Sequence, residues 1–86
     1  MMASIRILKP SKDETELVYV DGASYTSLEK AQSDFNRLKR MHLTTNADFP
    51  FWSVDLHDTE DNLIESIPID KCKADWLLKD FFKLRK

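Results

Sequence analysis

Glycine occurs once in this 86-residue chain, at Gly22, and cysteine once, at Cys72. A single glycine leaves no room for a glycine-rich phosphate loop. A single cysteine rules out an internal disulfide and any multi-cysteine metal site, and fits a reducing compartment. Only three prolines are present, and with 33% charged and 42% hydrophobic residues the composition is that of a folded chain. No stretch approaches the roughly 20 apolar residues needed to cross a bilayer. The opening residues, Met1 to Arg6, lack the apolar run of a signal peptide, so a cytoplasmic location is expected. An excess of basic residues is also missing: 13 Lys and Arg stand against 15 Asp and Glu, a net charge of -2. Proteins that bind nucleic acid draw much of their affinity from such an excess, and this balance leans the other way.

The length allows one domain with one core, spanning 1–86. Small domains bury a low fraction of their surface, which makes a second copy a natural partner. Residues 4–9 alternate as a strand with Ile5 and Ile7 on one side, and a charged turn follows from Pro10 to Glu14. Residues 16–20, rich in β-branched and aromatic types, predict the second strand of a hairpin, ended by Asp21-Gly22. Thr26-Ser27-Leu28-Glu29 then matches a capping box with Thr26 as the cap. Leu28, Ala31, Phe35, Leu38 and His42 recur at helical spacing behind it, and Thr44, Thr45 and Asn46 close the helix.

Residues 49–57 predict a third strand, with Trp52, Val54 and Leu56 on one face and Phe51, Ser53, Asp55 and His57 on the other. A polar turn leads to a fourth strand at 63–69, with Leu63, Ile67 and Ile69 in phase; Pro68 suits an edge. The last helix starts at Asp70 and buries Ala74, Leu77, Leu78, Phe81 and Leu84, with Lys83, Arg85 and Lys86 at its negative pole. The expected fold is therefore α+β, in ββαββα order: a four-stranded, mostly antiparallel sheet with both helices packed on one face.

No motif here carries a recognisable reaction. Cys72, His42 and His57 are the only nucleophile and imidazole candidates, and nothing in their spacing brings them together. Asp55, Asp58, Glu60 and Asp61 crowd the second hairpin turn, but a calcium loop needs a glycine at its bend, so a solvated turn is expected and no metal. Neither cofactor nor catalytic residue is assigned.

What remains are surfaces. Trp76 falls opposite the buried stripe of its helix, on the side of Cys72 and Lys79, and an indole in water is a common interface anchor. Phe51, with Val18 or Tyr19, is expected either on the sheet face that the helices leave open or, with equal weight, under a loop or along a sheet edge. Arg37, Lys39, Arg40 and Lys83 would form a basic patch if the two helix ends converged. The expectation is a non-enzymatic protein-interaction module, with a homodimer as one form of it. A nucleic-acid-associated role for the basic helix ends is the alternative, and a small enzyme ranks behind both.

Overall fold

The computed structural model describes residues 2–41, 48 and 50–83. His42, Thr44, Thr45, Asn46, Phe49, Leu84, Arg85 and Lys86 lie outside the described residues. The elements run β1 (Ala3–Pro10), β2 (Leu17–Tyr25), α1 (Leu28–Arg40), β3 (Trp52–His57), β4 (Leu63–Ile69) and α2 (Lys71–Leu77), and a π-helical turn (Leu78–Phe82) continues α2. The sheet order is β2-β1-β3-β4 with every neighbour antiparallel. This is the α+β architecture expected from the pattern of strands and amphipathic helices.

One face of the sheet makes the core. Ala3, Ile5 and Ile7 of β1 stand beside Ala23 of β2, Val54 and Leu56 of β3, and Ile67 and Ile69 of β4, all buried. Ala31, Phe35 and Leu38 of α1 close over them with Ala74 and Leu77 of α2 in a single cluster. Both helices thus share one face, and among the described residues no helix covers the other. Helix α1 ends toward β4, where Lys39 Nζ meets Glu65 Oε2 at 2.8 Å, whereas the π-helical turn packs against β2.

Four details depart from the expectations. Strand β2 does not stop at Asp21-Gly22 but runs on to Tyr25, because Val20 is an extra residue between the pairs Leu8–Tyr19 and Ile7–Asp21 and the ladder resumes beyond it. The helix accordingly starts one residue later. Ser27, not Thr26, is the cap; its Oγ accepts from the Lys30 amide at 3.3 Å. In β4, Ile64 is a second extra residue, so Leu63 pairs with His57 on the open face and is 56% exposed instead of joining Ile67 and Ile69. The π-helical turn, finally, inserts a residue into the phase of the last helix. Phe82 as well as Phe81 therefore turns inward, their rings edge to face at 5.0 Å. Asp70 caps α2 as expected, accepting from the Lys73 amide at 2.9 Å.

Candidate functional site

The open face carries mostly polar side chains, with Leu8, Tyr19 and Leu63 among them, and the strand register fixes its layout. Ser4, Arg6 and Leu8 of β1 stand between Ser24, Gly22 and Tyr19 of β2 on one side and His57, Asp55 and Ser53 of β3 on the other. Beyond β3, Ser66 faces Asp55. Cross-strand neighbours lie about 5 Å apart and successive same-face residues about 7 Å apart, so these side chains form a tight grid.

The β3–β4 part of the grid is closed on itself. Ser53 is completely buried, and its hydroxyl and that of Ser66 both reach Asp55 Oδ1 while lying 2.8 Å from each other. Two hydroxyl protons serve three short contacts, so neither has a proton to offer a ligand.

The β1–β2 part is a shallow depression lined by Met2, Ser4, Arg6, Tyr19, Gly22 and Ser24. Gly22 gives it a floor: a Cβ there would lie 3.1 Å from the Tyr19 hydroxyl and 3.2 Å from the Ile5 carbonyl oxygen. The Tyr19 ring, 62% exposed, leans over that floor. Arg6 donates from Nε to Ser4 Oγ at 3.0 Å and from Nη2 to Asp61 Oδ1. Among the described residues, Arg6 Nη1 and the hydroxyls of Tyr19 and Ser24 have no hydrogen-bond partner.

The carboxylates near the second turn go to separate tasks. Asp58 accepts the amides of Glu60 and Asn62, both at 2.9 Å, and the Asn62 amide holds its carboxyl below the ordinary value. Asp61 leaves the turn at a φ of 66° and turns to Arg6, and Asp55 takes the two serines. Among the described residues, no group of three or more His, Cys, Asp or Glu side chains could hold a metal ion.

Trp76, Cys72 and Lys79 are all exposed along the outer side of α2 and its π-helical extension, as the helical wheel places them; the indole is 43% exposed. Phe51 is half-buried immediately before β3. The α2 outer side and the open sheet face point away from each other, so Cys72 and His57 lie on opposite sides of the sheet. The basic residues also divide. Arg37 is bonded to Asp34 at 3.4 Å, and Lys39 and Arg40 end α1 toward β4. Lys83, in contrast, follows the π-helical turn against β2, at the far edge. Among the described residues, the two basic helix ends thus lie toward different edges of the sheet.

Sequence reasoning missed the depression around Gly22 altogether. Its members, among them two serines, an arginine, a tyrosine and a glycine, are scattered between Met2 and Ser24, and only the register of β1 on β2 joins them. The one hint was a lone glycine followed by strand-forming residues, which fits a close approach as well as a turn.

No family model, no curated protein and no solved structure matches this chain.

Proposed function

We propose that this chain is a small non-enzymatic protein-interaction module that docks through the outer face of α2, with Trp76 as the anchor and Cys72 and Lys79 beside it. The observation that carries this reading is the 43% exposure of Trp76 on a helix whose core side is already filled by Ala74, Leu77, Phe81 and Phe82. The indole is not needed for the core, and a large amphipathic ring left in water gains by being covered.

Edge-to-edge association is disfavoured, which turns attention to the faces. Each edge strand carries a bulge followed by a carboxylate on the helix side, Val20 with Asp21 in β2 and Ile64 with Glu65 in β4, and β4 adds Pro68. Bulges, inward charges and proline are the devices by which sheet edges resist pairing. A second copy of the chain meeting face to face through α2 is one form of this reading. The exposed, unpaired Cys72 suits a reducing compartment such as the cytoplasm.

The test is a comparison of the wild-type chain with Trp76→Ala. Concentration-dependent light scattering is expected to show self-association of the wild type that the variant loses, or affinity capture from the native host to show a partner that the variant no longer retains. A monomer at every concentration, together with identical captured proteins for both chains, removes the reading.

A further inference from the structure

We propose that the depression on the β1–β2 half of the open face binds a phosphate monoester group through Arg6 and the hydroxyls of Ser4, Ser24 and Tyr19, and that Asp61 occupies Arg6 when the ligand is absent. The site is separate from the Trp76 surface and does not depend on it.

The chemistry follows from what the depression offers. Arg6 holds its guanidinium in place by donating Nε to Ser4 Oγ, and its side chain is only 31% exposed. Ser4 accepts that bond, so its own hydroxyl proton is available. Together with Arg6 Nη1, the Tyr19 hydroxyl and the Ser24 hydroxyl, this makes four donor groups on two neighbouring strands with no acceptor of their own among the described residues. Donors gathered around one guanidinium select an oxyanion. Four of them exceed the two oxygens of a carboxylate and suit the three terminal oxygens of a phosphate monoester. Gly22 provides the room, since any side chain at that position would meet the Tyr19 hydroxyl.

Asp61 shows that an oxyanion fits beside Arg6. It reaches in from the β3–β4 turn, is 70% exposed, and meets Nη2 of Arg6 with the same Oδ1 that lies 3.9 Å from His57 Nδ1. An exposed ion pair of this kind is weak, so an external dianion can displace it. The other charged or titratable neighbours are Asp55 and His57. The Asp55 carboxylate lies opposite Arg6 and takes both serine hydroxyls, Ser53 and Ser66, on Oδ1; His57 stands opposite Ser4 with Nδ1 3.5 Å from the Asp61 carbonyl oxygen.

The test is a titration of the isotope-labelled full chain, followed by NMR, with O-phosphoserine, inorganic phosphate and acetate at constant ionic strength. Gly22 is the only glycine, so its amide reports the depression without ambiguity. Saturable shifts at Gly22, Ser4 and Ser24 are expected with O-phosphoserine and with inorganic phosphate, in the millimolar range, and not with acetate. Arg6→Gln is expected to abolish saturation, and Asp61→Asn to tighten binding about two- to fivefold by removing the internal competitor. Tyr19→Phe removes one hydroxyl from an exposed ring and weakens binding by a smaller factor, which keeps the test decisive if Arg6→Gln does not fold. Shifts that never saturate, equal binding of acetate, or undiminished binding by the Arg6 and Tyr19 variants overturn the site. Binding of inorganic phosphate with exclusion of O-phosphoserine overturns the monoester assignment, and an unchanged affinity in Asp61→Asn overturns the role of Asp61.

Discussion

In the β1–β2 hairpin the extra residue Val20 precedes the carboxylate of Asp21, and in the β3–β4 hairpin the extra residue Ile64 precedes that of Glu65. Each hairpin turn carries one non-glycine residue in the left-handed region, Glu14 at a φ of 56° and Asp61 at 66°. Each also holds an aspartate whose carboxyl is kept below its ordinary value, Asp13 and Asp58. The backbone solution is the same twice. The open faces of the two hairpins are nevertheless opposite in kind: Ser53, Asp55 and Ser66 satisfy one another, whereas Arg6, Tyr19, Ser24 and Gly22 leave donors around a hollow. The shared scaffold does not decide which half can bind; side chains at register-matched positions do.

Removing what supports only one hairpin should separate the two halves most. The π-helical turn rests on β2, and Phe82 beneath it is fully buried. Phe82→Ala is expected to cost about 3–5 kcal/mol, read from the shift in urea midpoint. Amide exchange in β2 should accelerate more than in β4. Equal acceleration in both edge strands would mean that the turn supports the whole sheet and not the first hairpin.

Three further substitutions separate the two open faces. Asp55→Ala removes the acceptor shared by two hydroxyls, one of them completely buried, and is expected to destabilise by about 1–3 kcal/mol. Ser24→Ala, in the half with uncommitted donors, should stay within about 0.5 kcal/mol. Ser53→Ala should fall between the two, because Asp55 keeps Ser66 as a donor. Thermal or urea unfolding of the three variants checks the order, and a Ser24 effect equal to that of Asp55 would erase the distinction.

How far these features were legible in the sequence depends on whether local spacing or register creates them. The stripes Ala31–Phe35–Leu38 and Ala74–Leu77–Phe81 were legible because helical spacing fixes a face, and the same wheel placed Trp76, Cys72 and Lys79 outside. Phe82 was not, because a π-helical turn breaks that spacing without a local marker. Leu63 and the run of β2 past Gly22 were misread for a related reason: one extra residue exchanges the faces of everything beyond it. The hollow around Arg6 depends on one such ladder from end to end, so no single segment of sequence displays it.

A third and smaller test compares the turns themselves. Aspartate visits the left-handed region more readily than glutamate does, so Glu14 bears more strain than Asp61. Glu14→Asn should make the first turn resemble the second and stabilise the chain by about 0.5–1 kcal/mol, measured by thermal unfolding. A loss of stability would show that the Glu14 side chain contributes something its backbone angle conceals.

The two turn aspartates give the finest comparison. Asp13 is lowered chiefly by the Ser11 hydroxyl, and Asp58 chiefly by the backbone amide of Asn62. A carboxyl depressed in the folded state contributes stability that is complete above its unfolded value, near 3.8, and is lost as pH falls through the folded value. Both turns should therefore weaken only in acid, below that point, and Asp13→Asn and Asp58→Asn should each flatten the fall in urea midpoint over that range. The flattening should be larger for Asp58. When Asp13 is protonated, the Ser11 and Thr15 hydroxyls can rotate toward water or another oxygen and only the Thr15 amide, at 3.4 Å, stays aimed at it, whereas the Glu60 and Asn62 amides, both at 2.9 Å, are fixed by the turn and continue to point at Asp58. An equal or greater flattening from Asp13→Asn would mean that rotatable hydroxyls hold a carboxylate as firmly as backbone amides do.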